Sequence, residues 1–184
     1  MLMDEAVLGV VTGIAVPAVS ILISTWVAIR LARSERIAAA AARAEERVDA
    51  AFVRALIALA TLNTINLCAE SSAEPLRELR VGLTLLDAAT PQIGNDLLAE
   101  WFEAERLAGL AQIHESMRLL ELVPRELRTN ADLEKFVSAG APVNTWARDF
   151  ADRLRLWRRA GTSDAELRVH IASAKALHTG PSSI

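Results

Sequence analysis

The chain has one cysteine, no tyrosine, three histidines and only two lysines, Lys135 and Lys175. A lone thiol, Cys68, closes no intramolecular disulfide, so stability has to come from packing and nothing marks an oxidising compartment. Cys68 reads as a small buried apolar residue. His114, His170 and His178 show no metal-ligand spacing: "HESMR" begins like HExxH, but Arg118 stands where the second ligand belongs. Also missing are a glycine-rich phosphate loop, a GxSxG elbow, a cysteine cluster and the ExxH pair of a diiron bundle. Glu103 and Glu121 read as solvated helix carboxylates. No catalytic, cofactor-binding or metal-binding residue is expected, and no enzyme. Strand-like alternation between hairpin turns is absent too, which leaves an all-α chain.

What the chain does have, near its start, is a long run without charge. Between Glu5 and Arg30, residues 6–29 carry no ionisable side chain. As a helix they reach about 36 Å, enough for a bilayer core of roughly 30 Å. Their Val, Ile and Leu residues favour insertion by on the order of 5 kcal/mol before Thr12, Pro17, Ser20, Ser24 and Thr25 subtract. Pro17, a breaker in a soluble helix, is tolerated as a kink in lipid. Trp26 falls at interface level, one turn before Arg30.

This run is expected to be a single transmembrane helix, with a buried soluble helix as the competing reading. A cleaved signal carries its positive charge before the apolar core, whereas here Asp4 and Glu5 precede it and Arg30, Arg33 and Arg36 follow. The arginines predict residues 1–5 outside and the rest in the cytoplasm of a plasma membrane. Gly9 and Gly13 form a GxxxG pair continued by Ser20 and Ser24, a face on which two helices can approach closely in lipid. Richness in alanine, leucine and arginine with little lysine fits a GC-rich bacterial or phage genome.

Residues 30–69 read as one long Ala/Arg-rich juxtamembrane helix. Ile37, Ala41, Ala44, Val48, Ala51 and Ala55 recur at alternating spacings of four and three, a coiled-coil seam too short to choose between a second copy and the chain's own later helices. The uncharged 55–69 stretch, about 22 Å long and interrupted by Asn63 and Asn66, reads as a core helix.

Residues 70–178 read as a cytoplasmic helical bundle and 179–184 as a loose tail. A stripe through Leu97, Trp101, Ala104, Leu107, Ala108, Ala111 and Met117 faces its core, with Glu100, Glu103, Glu105 and Arg106 mostly off it. Asn130 can cap a helix that Gly140 and Pro142 should interrupt. Ser163 and Glu166 form a capping box.

Charge is uneven: residues 69–126 carry eleven acids against five Arg, and residues 127–184 nine basic residues against six acids. Trp146, Phe150, Leu154 and Trp157 share a face, while Arg148, Arg153, Arg155, Arg158 and Arg159 lie largely on others. With Trp157, those arginines are a candidate surface for anionic lipid or a protein partner, although a bundle helix with wet arginines explains them as well. Nucleic acid is not expected, because no recognition motif accompanies the charge. Two functions compete: a membrane-tethered interaction, scaffolding or sensing module, self-associating through its span and seam, or a holin-like or toxin-like effector that oligomerises through the span.

Overall fold

The computed structural model describes residues 16–90, 96–126 and 129–179, with side chains from Ser24 onward. Five helices occupy the described residues: α1 (Val16–Thr64), α2 (Ala73–Ala89), α3 (Leu97–Glu121), α4 (Asn130–Ala160) and α5 (Asp164–Thr179). No strand occurs among them, as the all-α reading requires.

The chain divides into two compact units, Met1–Glu46 and Arg47–Ile184. In the first, every described side chain is exposed, Ile37, Ala41 and Ala44 included. The Arg30 guanidinium lies 4.8 Å from the centre of the Trp26 ring, a cation–π contact one turn apart. The expected membrane span is not found as such: among the described residues no helix is long and apolar enough to cross a membrane. The described part of that run, residues 16–29, is about 21 Å of helix before Arg30, short of a bilayer core. Residues 1–15, with Gly9 and Gly13, lie outside the described residues, as do the side chains of Pro17 and Ser20.

The second unit is built around α3, which packs mainly on α4 and α5 and more lightly on α2. The end of α1 supplies one side of the core through Val48, Ala51, Ala55, Ala58, Leu59 and Leu62. The seam is therefore resolved in part: its C-terminal residues are buried in the chain's own core. Gly82 of α2 makes this possible, since a Cβ there would stand 2.9 Å from the Ala55 backbone nitrogen. The core helix expected over 55–69 is found in part: Ala55, Ala58, Leu59, Leu62 and Ile65 are buried, while Ile57 is 62% exposed. α1 nevertheless stops at Thr64, short of residue 69. Cys68 falls in the turn that follows, exposed, its N–H bonded to Asn66 Oδ1 at 3.1 Å. The expectation of a buried thiol was wrong because the helix that would have carried it inward ends a turn earlier.

Two further expectations change. The buried face of α3 runs through Leu98, Trp101, Phe102, Ala104, Glu105, Ala108, Gly109, Ile113 and Ser116, while Met117 is exposed. That face is rotated from the predicted stripe because one helix meets neighbours on several sides, and because a polar side chain with buried partners is not confined to the wet face. Pro142 does not interrupt α4: it lies inside one continuous helix, capped by the Thr129 side chain rather than by Asn130. The Val143 N–H, next after the proline, donates to Ser116 Oγ of α3 at 3.2 Å, which ties the helix to a neighbour at this point.

Ser116 is fully buried, and Ser116→Ala removes that acceptor. The expected loss is about 2 kcal/mol, read as a lower urea midpoint at unchanged slope; an unaltered midpoint would show that the proline site needs no outside acceptor. α4 ends at Gly161 with φ +73°, a conformation glycine adopts without strain. The capping box is present: Ser163 Oγ accepts from the Glu166 N–H at 3.3 Å, and Glu166 Oε2 accepts from the Ser163 N–H at 2.8 Å.

Candidate functional site

Chemistry needs a reactive group that substrate can reach, and the most unusual side chain of the fold fails that test. Glu105, placed by the sequence among the residues mostly off the core stripe, is fully buried. Its Oε1 accepts from Trp101 Nε1 at 3.0 Å and from an Arg153 guanidinium nitrogen at 2.8 Å, and its Oε2 accepts from Trp146 Nε1 at 3.2 Å. Burial pushes its carboxyl above the ordinary glutamate value, against the pull of the Arg153 charge and the three donors. Around it, Phe150 meets Trp101 edge-on at 5.7 Å and His170 stacks on Trp101 at 5.6 Å. Burial and the nearby Arg153 charge hold the His170 pKa below its usual value. This constellation ties α3, α4 and α5 together and is closed to solvent at the carboxylate, so it serves cohesion. A helix-position signal existed: Trp101 precedes Glu105 by four residues, placing an indole donor one turn away.

The predicted lipid or partner surface is dispersed. Arg153 turns inward to Glu105, leaving its side chain 24% exposed. Arg158 reaches Asp49 of α1 at 2.7 Å, and Arg155 pairs with Asp152 one turn earlier at 2.7 Å. Arg148 lies 3.4 Å from its neighbour Asp149, and Arg159 is exposed. Trp157 packs edge-on against Phe102 at 6.1 Å. Lys175 of α5 meets Glu100 of α3 at 2.7 Å. The basic C-terminal third thus spends part of its charge on the acidic middle of its own chain, and the sequence asymmetry is partly an internal complementarity.

A larger accessible groove than the one beside Trp146 and Arg153 lies between the end of α1 and the start of α2. It is a groove of about 730 Å³. One wall is the α1 face of Ala50, Val53, Ile57 and Thr61, and the other carries Glu70, Glu74, Pro75 and Glu78. Val53 and Ile57 are 52% and 62% exposed, large aliphatic side chains in water on a rigid helix. Arg54 Nε donates to Glu78 Oε2 at 2.7 Å, which holds the Glu78 carboxyl below its ordinary value. Glu70 Oε2 accepts from the Asn66 N–H at 3.3 Å, and neither Glu70 nor Glu74 makes an ion pair with the described residues.

Sequence reasoning missed this groove, although a trace of it was visible. From Ala50 to Leu62, α1 is apolar on nearly every side, and a helix needs only one such stripe for a single neighbour. Among the described residues no group of His, Cys, Asp and Glu side chains is arranged to hold a metal ion. No protein family, curated protein or solved structure matches the chain.

Proposed function

We propose that this chain is a single-pass membrane-anchored helical protein that acts without an active centre, as an interaction or scaffolding module on the cytoplasmic face of a plasma membrane. The observation that carries the module reading is the open apolar groove between α1 and α2, with Val53 and Ile57 exposed on its wall. Glu105 supports it from the other side, because the carboxylate at the centre of its polar cluster is fully buried. The anchor rests on the uncharged run of residues 6–29, on Trp26 stacked with Arg30, and on the arginines that follow. Tethering raises the local concentration of a partner site without new contacts.

The test is alkaline carbonate extraction of membranes carrying the full chain or a version lacking residues 1–36. The full chain is expected in the pellet and the truncation in the supernatant with its helical spectrum intact. Release of both removes the anchor; retention of both moves it to another segment, residues 55–69 first. Protease added to intact spheroplasts is expected to spare a C-terminal tag, and its digestion would reverse the orientation. The effector alternative predicts instead a rapid loss of membrane potential on expression, relieved by Gly13→Ile.

A further inference from the structure

We propose that the groove between α1 and α2 docks a basic amphipathic helix of a partner protein, its aliphatic side chains seated on Val53 and Ile57 and its Lys or Arg residues against Glu70 and Glu74. This rests on the reading of the helical body as an interaction module and names the chemistry of what it binds.

Shape selects a helix. The α1 wall from Ala50 to Thr61 is about 16 Å long, three turns, and its residues repeat at spacings of three and four. A second helix laid along it presents side chains at the same spacings, i, i+3, i+4 and i+7, to the gaps beside Val53 and Ile57. An extended peptide has no such fit, because the walls are helices and offer no sheet edge to its backbone donors and acceptors.

Charge selects a basic one. Three carboxylates, Glu70, Glu74 and Glu78, stand along one rim against a single guanidinium, Arg54, already bonded to Glu78. Glu70 stands in the bend before α2 and Glu74 in its first turn, so two carboxylates on the rim have no cation of their own among the described residues. The same rim argues against the other occupants. Two copies meeting face to face through this patch would set each acidic rim against its own image, since a two-fold contact uses one surface twice. Anionic headgroups would meet carboxylates.

The groove can be read directly by titrating the full-length chain, held in nanodiscs of zwitterionic lipid, into a fluorescein-labelled synthetic helix of about 18 residues. That peptide carries leucine at i, i+3, i+4 and i+7 and lysine at the remaining positions. A second peptide has glutamate in place of every lysine, and empty nanodiscs give the lipid background. Saturable one-to-one binding of the lysine peptide above background is expected, weakening as salt rises, with the glutamate peptide bound at least about tenfold more weakly. Ile57→Glu, at a solvent-exposed position, should weaken the lysine peptide about tenfold or more while leaving the helical melting curve in place. The double variant Glu70→Lys/Glu74→Lys should exchange the two peptides' order.

Equal binding of both peptides, no binding above empty nanodiscs, or indifference to Ile57→Glu overturns the proposal. So does self-association of the chain that Ile57→Glu abolishes, which would assign the groove to a second copy. The outcome is separable from the anchor: if carbonate releases the full chain, the same titration is run without nanodiscs. If the chain stays in the pellet and the peptide fails, only this occupant is lost.

Discussion

Glu105→Gln is expected to destabilise the helical body by about 3 kcal/mol, and Glu105→Leu by more. The carboxylate receives three hydrogen bonds, from Trp101, Trp146 and Arg153, with both oxygens in use. A glutamine keeps one acceptor and turns the other position into a donor, so at least one buried N–H faces another. Leucine removes every acceptor and leaves the Arg153 charge, three-quarters buried, without its partner. Denaturation of the full-length chain in a mild non-ionic detergent, followed by tryptophan fluorescence, reads both values. A loss under about 0.5 kcal/mol for glutamine would mean that the network is slack.

The pH dependence follows from the direction of the shift. Burial raises the Glu105 carboxyl in the folded state above its ordinary value of 4.5. A folded acid held above its unfolded value contributes stability that is complete below the unfolded value and is lost as pH rises through the folded one. Arg153→Met removes the largest influence opposing that rise, so the folded value climbs and the window of loss widens upward. The melting temperature of Arg153→Met, relative to the parent chain, should fall as pH increases from about 4 to 8. A constant difference across that range would assign Arg153 a packing role only.

Gly109→Ala is the second large effect, and its sign is opposite to what helix propensity alone gives. In an exposed helix the change would stabilise by about 1 kcal/mol. Here a Cβ on Gly109 falls inside the van der Waals envelope of Trp146 Cη2 and Cζ2, and 2.9 Å from Cζ3. Trp146 cannot swing away cheaply, because it is buried and its Nε1 is bonded to Glu105. A net loss of about 2 kcal/mol is expected, a fall in melting temperature of roughly 4–8 °C. Gly140 of α4 is the built-in control: a Cβ there meets only Asn144 Nδ2 at 3.5 Å, an ordinary contact. Gly140→Ala should raise the melting temperature by a few degrees. Equal responses of the two glycines would dismiss the Trp146 contact as a constraint.

These two glycines show where the sequence is silent. Each lies inside a helix, and nothing in the neighbouring letters says which one has an indole against it. The same holds for Pro142, read as a helix break because its local cost is certain, while the helices packed around it, with Ser116 accepting from the next N–H, belong to distant parts of the chain. Glu105 was set off the core stripe because periodicity scores a carboxylate as polar, without seeing the donors that gather around it. The groove was illegible because an apolar residue on a helix gives no sign of which face its own chain will cover.

Local chemistry determined what lies within a few residues: the all-α class, the capping box of Ser163 and Glu166, and a core-facing side on the uncharged stretch that begins at Ala55. Such features depend on backbone conformation and on side chains one turn apart, and both are written in consecutive letters. Tertiary structure alone decided that Glu105 is buried, that Gly109 yields to Trp146, that Cys68 is exposed, that the seam of α1 closes on Gly82, and that Val53 and Ile57 remain in water. Those outcomes depend on which distant surfaces meet, and packing selects among faces that sequence periodicity leaves equivalent.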